Sequence, residues 1–456
     1  MKVQSLHTVY FIGIGGIGMS ALARYFNMSK KRVVGYDMTP SPITDQLIEE
    51  GIEIHFDQDL KLAQRIAKDL TEENLLVVYT PAIPSDNAEL AWFQSSKFEV
   101  LKRSKVLGLI TESGKTIAVA GTHGKTTTST IIAHLLHHSG IGCNAFLGGI
   151  AANYRSNFLY AGTEAWNVVE ADEYDRSFLA LSPNISVITS MDPDHLDVYG
   201  TSAEMINSYK EFAQLLPKEG VLFTAEGVAN LALDERKYGT TSSCTISAQN
   251  IDYSQQIATF DYIRKGKLAY SKLTLPLPGK HNVENTLVAI AIAEELGITE
   301  NALREALSTF KGIGRRFEYH IETEDLVYID DYAHHPSELA ATIAAAKEKH
   351  PGKKLTGVFQ PHLFSRTKDF VDGFAEELGK LDEIILLDIY PAREKPLLGI
   401  DSQWLLDKIP NDHKKYVSKS QLLLELKQRD IEVLLTLGAG DIDRFILPIK
   451  NWLSDK

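Results

Sequence analysis

The apolar run Ile117 to Ala120 breaks into Gly121-Thr122-His123-Gly124-Lys125-Thr126-Thr127. It gives way at once to a segment of helical period, in which Ile131, Ile132, Leu135 and Leu136 share one face before Gly140 stops it. A strand that ends in a glycine-bearing turn and runs directly into a helix is the unit from which doubly wound parallel sheets are built. The same succession occurs earlier, where Gly13-Ile14-Gly15-Gly16-Ile17-Gly18 follows the strand Thr8 to Ile14 and opens a helix running from about Gly18 to Met28. Short β-branched runs alternate with helical segments along the rest of the chain, so the fold class expected is α/β.

Further strands are expected at Arg32 to Asp37, Leu75 to Thr80, Asn167 to Ala171 and Ile185 to Ser190. Between Ala225 and Pro278 the pattern changes to short alternating stretches such as Ile257 to Tyr262, which read as a small antiparallel insertion. Helical period returns at Asn285 to Leu296 and Ala302 to Phe310, and Lys311-Gly312-Ile313-Gly314 reads as a hinge. A third unit follows, with strands near Leu355 to Phe359, Glu383 to Ile389 and Glu432 to Leu437, and a helix at Ser337 to Lys347. At 456 residues roughly three domains or two large ones are expected, and the succession of motifs divides the chain into 1–110, 111–313 and 314–456. The net charge of −13 repels nucleic acid and anionic membrane, so phosphate binding must be local. Two distant cysteines, Cys143 and Cys244, fit a reducing compartment, and no apolar run is long enough for a membrane helix. A soluble cytoplasmic protein is expected, with no nucleic-acid partner and no membrane insertion. Monomer or homodimer is left open.

Each glycine loop points to phosphate. Backbone amides of Gly121 to Gly124 can wrap nucleotide phosphates, the Lys125 ammonium can neutralise β and γ charges, and the Thr126 hydroxyl can ligate Mg2+. Val119 stands where the longer GxxxxGK[ST] loop has its first glycine, which implies a tighter turn. The first loop matches GxGxxG, with Asp37 placed to meet a ribose hydroxyl, and taken alone reads as a nicotinamide dinucleotide site. Four carboxylates in Glu170-Ala171-Asp172-Glu173-Tyr174-Asp175 suit a divalent cation at a strand end, and His195, in Asp192-Pro193-Asp194-His195, could reach the same crevice. Gly314-Arg315-Arg316-Phe317 could clamp developing phosphate charge. His334 and His335 point different ways and have no HxxxH or CxxC partner, which argues against zinc. Arg366, near a helix start after Gln360-Pro361-His362, suits a carboxylate or phosphate.

Two nucleotide signatures in one chain argue for ATP-driven chemistry on a nucleotide-linked substrate. The order and spacing of these motifs, with Gly279-Lys280-His281-Asn282, Asp331 to Pro336, Phe359 to Thr367 and Leu437-Gly438-Ala439-Gly440-Asp441, resemble the Mur ligases of peptidoglycan synthesis over the whole chain. The resemblance implies a Rossmann-like UDP-binding domain, a central P-loop ATPase domain and a Rossmann-like C-terminal domain that closes over both. It reassigns the first loop from NAD to a UDP-sugar, held by Gly15, Gly16, Ile17, Gly18, Asp37 and Thr80. It implies ATP contacts at Gly121, Thr122, His123, Gly124, Lys125, Thr126, Thr127, Asn282, Arg316 and Asp331, and Mg2+ ligands at Thr126, Glu170 and His195. Lys125, Glu170, His195, Arg316, His335 and Arg366 are implied in catalysis.

The reaction so implied begins with the lactyl carboxylate of UDP-N-acetylmuramate attacking the γ-phosphate of ATP. The amine of L-alanine then displaces phosphate from the acyl phosphate. Leu363 departs from the family, which often has Arg after Pro-His. A ligase that attaches a whole tripeptide to the same sugar nucleotide shares the ATP and metal motifs. An NAD-dependent dehydrogenase would leave Gly121 to Thr127 idle, and a non-catalytic nucleotide switch would bind ATP without acceptor-dependent turnover.

Overall fold

The protein is described by a computed structural model covering residues 3–84, 86–192, 199–253, 257–277, 279–392 and 394–455. Its first five strands are β1 (Thr8–Ile12), β2 (Arg32–Tyr36), β3 (Glu53–His55), β4 (Leu75–Tyr79) and β5 (Glu99–Lys102). They form an all-parallel sheet in the order β3-β2-β1-β4-β5. The strand order reverses between β1 and β4, and in such sheets ligands bind at the crevice beyond that switch point. The first glycine loop leaves β1 there, and Thr80 leaves β4 beside it.

The second sheet has ten strands, β6 (Thr116–Ala120), β7 (Cys143–Ala151), β8 (Ser156–Leu159), β9 (Trp166–Glu170), β10 (Ile185–Ile188), β11 (Val221–Ala225), β12 (Glu235–Gly239), β13 (Ile246–Asp252), β14 (Ala258–Arg264) and β15 (Lys267–Leu275). Their order is β15-β14-β13-β12-β11-β10-β6-β9-β7-β8. The stretch between 225 and 278 lengthens this sheet. Strands β12 and β13 join in parallel, and β14 and β15 then fold back antiparallel. A second antiparallel pair, β7 with β8, closes the other edge.

The third sheet comprises β16 (Glu318–Glu322), β17 (Val327–Asp331), β18 (Leu355–Phe359), β19 (Glu383–Leu386), β20 (Lys414–Tyr416) and β21 (Val433–Leu437), ordered β16-β17-β21-β18-β19-β20. Strand β16 is antiparallel to β17, and the remaining pairs are parallel. Alternate side chains of each central strand feed separate cores, as burial on both faces requires. In β21, Val433, Leu435 and Leu437 enter one core and Leu434 the other. In β1, Val9 and Phe11 part in the same way from Tyr10 and Ile12.

The chain divides into two compact units, residues 1–313 and 314–456. The first carries two sheets because they share a core. Leu22, Phe26 and Val78 of the first sheet layer lie in one apolar cluster with Ala118, Phe146, Phe158 and Val169 of the second. Tyr25, on the helix Ile17–Met28, packs its ring 5.6 Å from Phe146 and 6.2 Å from Phe158. Among the described residues no helix is long and apolar enough to cross a membrane.

Candidate active site

The phosphate-type loop owes its shape to two glycines. Gly121 has φ +134°, and a Cβ there would overlap the Thr189 hydroxyl and stand 2.8 Å from the Ser190 amide. Gly124, at φ +80°, caps the helix Lys125–His138, and a Cβ there would come within 2.8 Å of Asn285 Oδ1. Only glycine adopts these angles without strain. The loop is stitched to the residues after β10. His123 N–H donates to Ser190 Oγ at 2.7 Å, Thr122 N–H to Ser190 O at 3.4 Å, and Thr189 Oγ1 to His123 O. Thr189 and Ser190 were missed by motif reading, because hydroxyls at a strand end carry no signal until the loop they hold is known.

Lys125 folds back over this loop. Its Nζ donates to Gly121 O at 2.5 Å and to Glu173 Oε1 at 2.8 Å. Burial works against the ammonium charge, but Glu173 and then Glu170 outweigh it and hold the amine above its ordinary range. The cation is therefore present and poised at the loop mouth. One residue on, Thr126 Oγ1 donates to Glu170 Oε1 at 3.0 Å, and Glu170 Oε2 accepts the Gly148 amide at 2.9 Å. A Cβ on Gly148 would collide with the Glu170 carboxylate. A hydroxyl and a carboxylate held this closely are hard oxygen donors of the type Mg2+ takes, so the two residues fit that ion. Among the described residues no cluster of three His, Cys, Asp or Glu forms a fuller cage. His195 lies outside the described residues. His123 turns outward, its Nε2 3.7 Å from Asp192 Oδ2. Thr127 continues the first turn of the helix behind the loop, and Asn282 sits in the first turn of the helix Lys280–Glu295.

At the first glycine loop, Gly13 has φ +89° and packs against Thr80, whose Cγ2 would be 2.9 Å from a Cβ at that position. Asp37 serves the loop itself. Its Oδ2 accepts the Gly15 amide at 2.8 Å and its Oδ1 the Thr39 amide at 3.1 Å. Gly16 is the N-cap and Ile17 the first residue of the following helix, with Gly18 next.

In the second unit the two arginines of Gly314 to Phe317 separate. Arg315, at φ +59°, is the structural cation: its Nε lies 2.9 Å from Asp330 Oδ2 and its Nη2 donates to Gly438 O at 2.6 Å. Arg316 is 41% exposed, pairs with Glu338 at 3.5 Å and lies over the Tyr332 ring. Asp331 is buried and accepts the Phe317 and Ala333 amides, each at 2.7 Å. Burial, opposed by Arg316, pushes its carboxyl up to about 6. His335 caps the helix Pro336–Lys349, with Nδ1 2.8 Å from Ser337 Oγ. The histidine gathered with Arg316 and Glu338 is His334, whose Nδ1 lies 2.9 Å from Tyr332 O and 3.1 Å from Glu338 Oε2. Burial above all depresses the His334 imidazole, and Arg366 adds to this against Glu338. Arg366 lies on the helix Phe364–Asp369, entered through Leu363 at φ +70°, whose N–H donates to Tyr390 O at 2.9 Å.

Comparison with known proteins bears on the whole chain. The family described as "Mur ligase family, catalytic domain" matches residues 8–115, "Mur ligase middle domain" matches 119–293, and "Mur ligase, glutamate ligase domain" matches 315–440. The chain is 48% identical to the UDP-N-acetylmuramate–L-alanine ligase of Flavobacterium johnsoniae, with 100% of both chains covered. It is 49% identical to the protein of that name from Porphyromonas gingivalis, covering 98% of each. Among solved structures, the UDP-N-acetylmuramate–alanine ligase of Thermotoga maritima superposes with a TM-score of 0.81 at 28% identity, covering 98% of this chain and all of that one. Matches that run from residue 8 to 440, with relatives of this identity along the full length, show that the chain belongs to the Mur ligase family.

Proposed function

We propose that this protein joins L-alanine to the lactyl carboxylate of UDP-N-acetylmuramate in the cytoplasm, with ATP cleaved to ADP and phosphate. The observation that carries the reading is the buried, charged Lys125 at the mouth of a glycine loop, with the Thr126–Glu170 oxygen pair one residue behind it. The names of the full-length relatives supply the substrates. On this reading residues 1–110 hold the UDP moiety, 111–313 hold ATP, and 314–456 close over both.

A carboxylate is a poor electrophile, and phosphorylation gives it a leaving group. The glycine loop Gly121 to Gly124 and the Lys125 ammonium are assigned to the β and γ phosphates, where they would meet the charge that develops in transfer. Thr126, Glu170 and His195 are assigned to Mg2+, which supplies charge neutralisation on the phosphoryl oxygens. In the second unit Arg316 and Asp331 are assigned to ATP, and Asp331 holds the Phe317 and Ala333 amides of the turn that carries Arg316. Asn282 is assigned to the nucleotide. Arg366 takes the amino-acid carboxylate, a task made heavier by Leu363. His335 is assigned to the muramyl end.

The test is phosphate release from Mg-ATP and UDP-N-acetylmuramate with L-alanine, with the Ala-Glu-diaminopimelate tripeptide, or with no acceptor, and the product mass checked. Turnover with alanine and a product heavier by one alanyl residue is expected. Turnover with the tripeptide alone would contradict the alanine assignment, and silence with every acceptor would contradict the ligase reading.

A further inference from the structure

Gly18, the last glycine of the first loop, lies under the side chain of Arg103. A Cβ built on Gly18 would stand 2.8 Å from Arg103 Nη1, 3.0 Å from Cδ and 3.1 Å from Cζ. In dinucleotide folds this third glycine lets the helix approach the strand. Here it makes room for a guanidinium. Arg103 opens the helix Arg103–Glu112 directly after β5, at the same C-terminal sheet edge as the loop. Its Nη2 donates to Asp172 Oδ2 at 3.3 Å, and Asp172 lies two residues past Glu170. Arg103, Ser104, Glu170, Asp172 and Ser177 line one small cleft.

The Arg103–Asp172 pair is a poor candidate for a purely structural contact. It is a single long hydrogen bond between side chains 24% and 42% exposed, and ion pairs of that kind contribute little to stability. A guanidinium, in contrast, is suited to phosphate: it is always charged and presents a planar fork of donors. The loop amides need such help. Asp37 places a carboxylate against Gly15, and the whole chain carries −13, so a diphosphate approaches an unfavourable field unless a local cation receives it.

We infer that Arg103 is the binding residue for the diphosphate of the sugar nucleotide, exchanging Asp172 for that ligand when it arrives. The inference rests on the assignment of the first glycine loop to a uridine diphosphate sugar. It gives the two sheets of the first unit a chemical connection, because the residue that meets the diphosphate lets go of a carboxylate beside Glu170.

Calorimetry on the full-length protein tests it with UDP, UDP-N-acetylglucosamine, UDP-N-acetylmuramate and Mg-ADP. Arg103→Met keeps an unbranched stem over Gly18 and is expected to lose about tenfold or more in affinity for all three uridine diphosphates, the scale of a charged hydrogen bond, with Mg-ADP unchanged. Arg103→Lys recovers part of that loss. Asp172→Asn removes the competitor and binds the uridine diphosphates at least as tightly as the unsubstituted protein. Unchanged affinity in Arg103→Met overturns the inference. So does a loss confined to UDP-N-acetylmuramate, which would assign Arg103 to the lactyl carboxylate, and so does an equal loss in both variants, which would make the pair structural. If Arg103→Met does not fold, Arg103→Lys decides, with a severalfold loss expected and no loss overturning the inference. Failure of the unsubstituted protein to bind any uridine diphosphate overturns the loop assignment itself.

Discussion

Lys125 is buried and charged at once because Glu173 lies 2.8 Å from its Nζ with almost no exposure of its own. Lys125→Met is expected to lower turnover by at least about a hundredfold, the scale of removing a preplaced charge donor. Affinity for UDP-N-acetylmuramate should stay within twofold if, as proposed, its diphosphate is held at the first glycine loop on the other sheet; calorimetry beside the phosphate assay checks both. Glu173→Gln removes the carboxylate paired with the ammonium and leaves Glu170 as the next to offset its charge, and breaking a buried pair in this way costs about 3 kcal/mol or more, readable as a lower urea midpoint. The carboxylates of Glu170 to Asp175 were legible as a group, but their separate tasks were not. Asp175 and Arg176 both take left-handed backbone, at φ 53° and 52°, and two such residues redirect the chain in a way no alternation of residue types encodes. The histidine pair is a similar case. The cap at the start of the Pro336–Lys349 helix sends His335 to Ser337 and leaves His334 with Glu338 and Tyr332, a choice fixed by a turn rather than by composition.

The strand Thr116–Ala120, its loop and the helix Lys125–His138 lie where the sequence puts a strand from Ile117 and a helix stopped by Gly140, because a buried β-branched run, two obligatory glycines and an apolar stripe all agree. The β7–β8 pair was not legible: Phe146 to Ile150 reads as neither clean alternation nor helix, and Gly148 is there for the Glu170 carboxylate. His134 joins the Lys125–His138 helix to the helix Glu300–Thr309, with Nδ1 2.7 Å from Tyr154 Oη and Nε2 2.9 Å from Ala306 O. Burial drives its imidazole down to about 4. The stability this gives is fully present above the unfolded-state value of about 6.5 and is lost as pH falls towards 4, by roughly 1 kcal/mol at pH 5.5. Urea midpoints at pH 7.5 and 5.5 should therefore differ, and the His134→Gln variant should lose that part of the difference; an unchanged slope would contradict the assignment. At the end of β21, Gly438 has φ +139° and its missing Cβ would lie 2.6 Å from Gln360 O. Gly438→Ala should destabilise the second unit by about 2 kcal/mol or more, seen as a lower melting temperature of the full chain.

At the scale of the molecule, three sheets make two compact units, because the helix Ile17–Met28 is buried between the first and second sheets. Motif spacing showed where three nucleotide-fold sheets begin, but a core shared by Leu22 and Phe146 is a long-range fact that local periodicity does not carry. A fragment of residues 1–313 is accordingly expected to unfold cooperatively, whereas residues 1–110 alone should expose Tyr25, whose ring packs on Phe146, Phe158 and Tyr160, and bind a hydrophobic dye. Cooperative unfolding of the shorter fragment without dye binding would contradict the shared core. On the proposed function Lys125 and its loop serve to transfer a phosphoryl group to a carboxylate. The most direct measurement uses UDP-N-acetylmuramate labelled with 18O in the lactyl carboxylate, turned over with Mg-ATP and L-alanine. One labelled oxygen should appear in the released phosphate, because the carboxylate oxygen that attacks the γ-phosphate leaves with it. Unlabelled phosphate, released in step with the amide product, would contradict the account.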